Sequence, residues 1–402
     1  MATISVEIVE PPRPPGPLAW LRENLFSNWF NSILTMISLV IVIWGSISAL
    51  RWVFFSADWT PVARNPLLFL VGQYPRESLW RVGASLAIVS FLAGVSWRQW
   101  GGTMRAFVLL YAAFLFIGVF WSPKGETLTL PMRIFLASNL GFILLGYLIG
   151  GSKLINPRRV VIAWALSIVI TFVLLNGFSN SPILSHVPTG LWGGLMVTLI
   201  LAVGGIALSF PIGVILALGR RSSLPVVKWF SIIFIEVVRG VPLIGILFLS
   251  SVTLPLFLPQ DVRVDLLLRA LVGMTLFSAA YMAENVRGGL AAIPPGQEEA
   301  AKALGLNNFQ ITILIILPQA LRAVIPPIVG QFISLFKDTT LASGVAVLEF
   351  LAIGRSIVQS NPAYVSKQAE VLVFIAAVFW IFCYMLSYAS LRLEAALGVG
   401  ER

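Results

Sequence analysis

The chain has 402 residues, of which 58% are hydrophobic and only 11% charged, well under the roughly 25% charge of a water-facing domain, so most of its surface must face lipid and a purely soluble fold is excluded. Its formal net charge of +10 comes from Lys and Arg scattered singly or in pairs, the pattern of cytoplasmic loops rather than of a nucleic-acid-binding tract.

Residues 1–28 open with MATISVEIVEPPRPPGPLAW. This stretch is acidic and proline-rich, unlike the basic, then apolar, then small-residue order of a cleaved signal. It is expected to be a cytoplasmic tail, extended at 11–17. Uncharged runs follow at 29–50, 106–123, 134–152, 240–260 and 371–391, each long enough to cross a bilayer. The charge-free stretch 160–219 must be two helices, broken near Asn180–Pro188 by turn-forming residues. Shorter runs at 82–97 and 270–283 become spans with their flanks, and 311–336 is interrupted by Pro318, Pro326 and Pro327. The expectation is an all-α polytopic membrane protein of about ten spans. Residues 29–185 form an N-terminal transmembrane extension, and 186–398 a core built on the last five spans.

An N-terminus placed inside puts the basic pairs Arg158–Arg159 and Arg220–Arg221 on one side, around two helices whose outer loop has no Lys or Arg. Positive-inside then makes both termini cytoplasmic and places the loop 284–310 on the same side. Trp29, Trp52, Trp97, Trp121 and Trp192 fall near run ends, as in an interfacial belt. Cys383 and His186 are the sole residues of their types, which excludes an internal disulfide, a CxxC site or a histidine metal cluster. His186 lies in an outer loop and has no catalytic role to play there.

The stretch 284–318 reads ENVRGGLAAIPPGQEEAAKALGLNNFQITILIILP. Pro294, Pro295 and Gly296 halt one helix, and Gln297, Glu298 and Glu299 suit the first turn of the next. Ala300, Ala301, Ala303 and Leu304 give it a small apolar face, and Gly305 ends it. An ordinary amphipathic connector and a knob for a groove in a partner protein are both open on these features.

Glu299-Ala300-Ala301, then Gly305, then Ile315-x-Leu317-Pro318 resembles the EAA loop (297–318) of the permease subunits of ABC importers. The resemblance implies that 299–309, with Glu299, Ala300, Ala301, Ala303, Leu304, Gly305 and Leu306, is a coupling helix docking into an ATP-binding subunit. Glu236-x-x-Arg239-Gly240-x-Pro242-Leu243, Tyr281-x-x-Glu284-x-x-Arg287-Gly288-Gly289 and Lys337-Asp338-Thr339-Thr340-Leu341 resemble segments of polar amino acid permeases, with Thr340 where Ser is usual. The long extension is similar to that of the larger permeases of general amino acid uptake. The implied function is a translocation subunit for polar amino acids in a bacterial inner membrane. It would receive substrate from an external binding protein, alternate its access, and pair with a second, related permease.

Ionisable groups at span ends are candidates for function. Lys337 and Asp338, with Thr339, Thr340 and Ser334, are either an interfacial group at an outer helix end or part of a substrate path. Glu236, Arg239, Glu284 and Arg287 read as ion pairs, within or between helices, that fix an inner gate, with direct substrate contact as the second reading. No G-x-x-x-x-G-K-[ST] is present, and Gly150-Gly151-Ser152-Lys153 has the wrong spacing. ATP and Mg therefore belong to a partner ATPase, and no cofactor or metal is expected on this chain. The rivals are an ion-coupled secondary transporter of small polar solutes, which leaves the EAA register unexplained, and a polytopic membrane enzyme.

Overall fold

The structure is a computed structural model, and it describes residues 16–120, 130–259, 262–396 and 398. Trp121 and all of the expected extended segment 11–17 except Gly16 and Pro17 lie outside the described residues. The described chain is helical, with isolated β-bridges and no named strand. It divides into two compact units, Met1–Asp58 and Trp59–Arg402.

In the first unit, Pro17 takes the first turn of α1 (Pro17–Asn24), a position whose N–H is unpaired in any helix, so the end of the expected tail is helical. Asn28 then caps α2 (Trp29–Arg51) by accepting the Asn31 N–H at 2.8 Å. Trp29–Ser56 is strongly apolar, and no residue of its most apolar window is fully buried.

The second unit begins with two short helices, α3 (Thr60–Ala63) and α4 (Pro66–Val71). Four longer helices follow: α5 (Leu79–Trp100), α6 (Gly102–Phe120), α7 (Leu130–Ile149) and α8 (Pro157–Asn176). Buried Ser90 of α5 donates to Asn139 of α7 at 2.9 Å and shares a 2.8 Å hydrogen bond with Tyr111 of α6. Such bonds join helices where hydrophobicity alone gives no drive to associate.

The core starts with α9 (Gly194–Arg220), which at 27 residues is about 40 Å long. Next come α10 (Pro225–Gly240) and α11 (Leu243–Phe248), with a 108° bend between them. The bend follows from Pro242, which drives Val241 out of the helical region to φ −105°, ψ 135°. The apolar run 240–260 is thus half of a bent pair and not a full span. α11 continues through a π-helical turn, Leu249–Thr253, and a 3-10 turn, Leu254–Phe257. The remaining helices are α12 (Leu266–Ala291), α13 (Pro295–Ala303), α14 (Asn308–Gln310), α15 (Leu317–Ala323), α16 (Ile325–Asp338), α17 (Phe350–Ser360) and α18 (Gln368–Ala396). A second bend, 63°, separates Asn308–Ala323 from Ile325–Val345, next to Pro326 and Pro327.

Among the described residues six helices are long and apolar enough to cross a membrane, or eight if each bent pair is one span. The expected ten would require the two shorter apolar helices, Met104–Phe120 and Arg133–Ile149, to cross as well. Trp192 departs from the interfacial belt. It is 1% exposed, packed against Tyr74 and Phe172, with its indole N–H donating to the Val187 carbonyl at 3.2 Å. The loop 177–193 folds back over it, so a tryptophan near a run end is buried in protein instead of meeting the headgroups.

A candidate coupling loop and its charge cluster

One end of the core gathers the Arg220 end of α9 with α10, α12 and α13. Leu216, Ile235, Ala283, Leu290, Ala301 and Ile311 form a single buried cluster there. The helix α13 starts at Pro295 and ends at Ala303, so the expected 299–309 element is the second half of one helix, a turn, and the start of the next. Its stop is a Schellman motif: the Leu306 N–H donates to the Ala301 carbonyl at 3.2 Å and the Gly305 N–H to the Lys302 carbonyl at 2.9 Å. This closure needs a left-handed residue at Gly305, whose φ is +80°. Asn307 and Gln310 then form a reciprocal capping box, at 2.9 and 3.0 Å, that restarts the chain as α14.

The small apolar face is divided by this geometry. Ala301 is 3% exposed and packs into the core with Leu306, while Ala300, Ala303 and Glu299 face outward. Leu304 is 81% and Phe309 74% exposed, so the turn presents two large apolar side chains, of which Phe309 was not singled out by the sequence pattern. Lys302 beside Glu298, at 2.8 Å, holds that carboxyl below its usual range. Gln319 donates to Gln297 at 3.3 Å, tying α13 to α15.

Behind the loop lies a charge cluster shared by three helices. Glu284 of α12 is held by Arg287 on its own helix, at 2.5 Å. Its other oxygen lies 3.7 Å from Arg220 of α9 and 3.8 Å from Arg239 of α10. Glu236 pairs with Arg220 at 2.8 Å and not with Arg239 one turn along its own helix. Arg239 instead stacks 5.4 Å over the ring of Tyr281, a favourable site for a planar cation. Arg220 was assigned by sequence only to positive-inside bias, because nothing local to residue 220 reveals a partner on another helix.

Lys337 and Asp338 end α16, and the backbone there is regular. The irregular part begins at the next residue, with the 3-10 segment Thr339–Val345 and a left-handed Ala346. Lys337 is exposed and Asp338 half-buried. Thr339, fully buried, donates to the Phe336 carbonyl at 2.7 Å, and Thr340 to that of Lys337 at 2.8 Å. Ser334 is half-buried on α16. The charged loop and these residues lie in different parts of the core and are not brought together. His186 accepts or donates at 3.2 Å to the Asn176 carbonyl. Among the described residues no group of His, Cys, Asp and Glu is placed to hold a metal ion.

The family model for the binding-protein-dependent transport system inner membrane component matches residues 209–395, which contain both the loop and the charge cluster. The inner membrane amino-acid ABC transporter permease protein YhdY of Escherichia coli is 36% identical over 98% of each chain. The glutamate/glutamine/aspartate/asparagine transport system permease protein BztC of Rhodobacter capsulatus is 35% identical over 95% of this chain and 94% of its own. A probable glutamine permease of Bacillus subtilis, GlnP, is 36% identical over 51% of this chain and 92% of its own. The shorter relative thus corresponds to about half of this chain, while the two longer ones match it nearly end to end. The ion-coupled reading has no place beside these matches, and ATP hydrolysis falls to a separate ATPase. The chain is a multi-pass inner-membrane protein belonging to the family of amino-acid ABC transporter permeases.

Proposed function

We propose that this chain is the translocation subunit of an ATP-driven importer for glutamate, glutamine, aspartate and asparagine. The observation that carries the reading is the end-to-end similarity to a permease named for those four amino acids, extension included. A substrate of this class has two or three charged groups, and the core offers Lys337 and Asp338 beside irregular backbone, where free backbone groups can also meet a polar solute. Lys337, Asp338, Thr339, Thr340 and Ser334 are proposed to line the path.

The same proposal extends to the steps of transport, with the exposed α13–α14 turn as its support. The α13–α14 turn, with Glu299 and Leu304 outward, docks into an ATPase subunit carrying ATP and Mg. Closure of the paired ATPases moves this turn, and the core opens toward an external binding protein loaded with amino acid. A second, related permease completes the pathway, and both termini face the cytoplasm. The charge cluster around Glu284 holds the inner ends of α9, α10 and α12 together.

Tagging this chain and purifying the assembly tests the reading. An ATPase and a second permease are expected to co-purify, and uptake of labelled glutamate in vesicles to be competed by glutamine, aspartate and asparagine. Recovery of the chain without an ATPase would remove the importer; competition by lysine or leucine instead would remove the substrate class.

A further inference from the structure

At the Gly194 end of α9, opposite α13, three segments far apart in sequence are laced through their backbones. Gly72, which closes α4, makes an antiparallel bridge with Trp192, and Gly194 makes a parallel bridge with Glu349. The Gly194 N–H donates to the Leu348 carbonyl at 2.9 Å. The contact leaves no room for side chains: a Cβ on Gly72, whose φ is +66°, would stand 2.5 Å from the Gly193 Cα, and one on Gly194 would stand 2.2 Å from the Phe69 carbonyl oxygen.

Phe69 itself is 2% exposed. Its ring packs against Phe350 of α17 and Phe374 of α18, with centroids 5.7 and 5.1 Å away. The Phe350 N–H donates to Thr198 of α9 at 3.0 Å, so α17 is tied back to the same helix. Two further braces come from the extension. Tyr74 donates to the Leu175 carbonyl at 2.8 Å. Buried Arg81 donates to the Ser185 carbonyl and hydroxyl at 2.7 and 3.1 Å, fixing the loop that leads into α9. By contrast, Leu249–Phe257 and Thr339–Val345 are π- and 3-10-helical, with poorer hydrogen-bond geometry than an α-helix.

We propose that Pro66–Tyr74 is a wedge by which the N-terminal extension acts on transport: Phe69 and Gly72 are positioning residues that keep the outer ends of α9 and α17 together as one body throughout the cycle. Opening to the outside then falls to α11 with its irregular continuation and to Thr339–Val345, the segment next to Lys337 and Asp338. Packed interfaces of this kind switch or hold and do not deform gradually, so the wedge sets how far the moving parts can travel. This inference rests on the importer reading above.

The test uses the whole complex in lipid nanodiscs. Hydrogen exchange is followed with and without ATP and amino-acid-loaded binding protein. Amides of 69–72, 194–198 and 348–351 are expected to keep their protection in every state, while those of 249–257 and 339–345 change at least tenfold. In parallel, Phe69→Ala is expected to raise ATP consumed per amino acid several-fold with the apparent KM within twofold of wild type, and Phe69→Leu to restore the wild-type ratio. A folding defect alone would lower the yield of complex without moving that ratio. Loss of protection at 69–72 on adding ATP, or an unchanged ratio in Phe69→Ala, overturns the wedge. A complex with no ATP-dependent uptake at all overturns the importer reading, and the wedge with it.

Discussion

Arg239 of α10 reaches across to Glu284 of α12, 3.8 Å away, and leaves Glu236, one turn back on its own helix, to Arg220 of α9. The two acidic residues are therefore unequal. Glu284 is surrounded by three guanidinium groups and its side chain is 25% exposed, whereas that of Glu236 is 53% exposed with one partner. Replacing Glu284 by Gln leaves part-buried Arg239 and Arg287 without their carboxylate, while Arg220 keeps Glu236, and is expected to cost about 1–3 kcal/mol. Glu236→Gln removes a mostly solvated pair and should cost under about 1 kcal/mol. Thermal unfolding of the two variants in detergent measures the difference; equal losses would mean that the cluster is not organised around Glu284.

The second prediction concerns Gly305. Its φ of +80° makes an L side chain unfavourable by about 1–2 kcal/mol. Gly305→Ala is expected to leave the protein inserted while lowering transport-coupled ATPase activity several-fold, and Gly305→Asn to recover most of it, because Asn tolerates the left-handed region. Asn307→Ala, which removes the capping box, should loosen the same turn by about 1 kcal/mol. Equal activity in the Ala and Asn variants would separate the turn's conformation from coupling.

The position and stop of this loop were legible in the sequence because its signals are local. Pro295 and Gly305 each dictate the backbone within a residue or two, and the apolar runs at 29–50 and 160–219 report long helices in the same way. What was not legible depends on contacts between distant residues. Nothing near Arg220 announces Glu236 or Glu284, and nothing near Trp192 announces that Tyr74 will bury it. The apolar run at 240–260 was misjudged because Pro242 sits at its edge, so length was counted across a bend that the proline imposes. Glu349 reads in the sequence as one acid before an apolar stretch; only the fold shows it 0% exposed and capping α17.

A third prediction tests the outward face of the coupling turn. Leu304 and Phe309 are exposed, and burying each in a partner would contribute about 1.5–3 kcal/mol, equivalent to roughly tenfold or more in affinity. Leu304→Asp and Phe309→Asp are expected to reduce ATPase co-purification by at least that factor, whereas Lys302→Ala, whose partner Glu298 lies on the same helix, should change it less than about threefold. Full retention of the ATPase in the Leu304→Asp, Phe309→Asp double variant would move the docking site elsewhere.

The fourth prediction is a pH dependence at Glu349. This side chain accepts the N–H groups of Leu351 and Ala352 at 2.8 and 2.7 Å. Burial nonetheless pushes its carboxyl up to about 7, with the two amides and Arg355 pulling the other way. Because the folded protein holds this proton more tightly than the unfolded chain, the associated stability is fully present below the ordinary carboxylate pKa and is lost as the pH rises through about 7. Glu349→Gln cannot titrate and leaves one of the two amides without its acceptor, a constant cost of about 1 kcal/mol. The wild type is therefore expected to lose stability relative to the variant as the pH rises from the ordinary 4.5 of a free carboxyl to about 7, on the order of 1 kcal/mol per pH unit within that interval, and to keep a steady margin on either side of it. Melting curves of both proteins at matched ionic strength measure the gap. A gap that does not vary with pH would show that Glu349 stays ionised, with helix-end amides and Arg355 outweighing its burial.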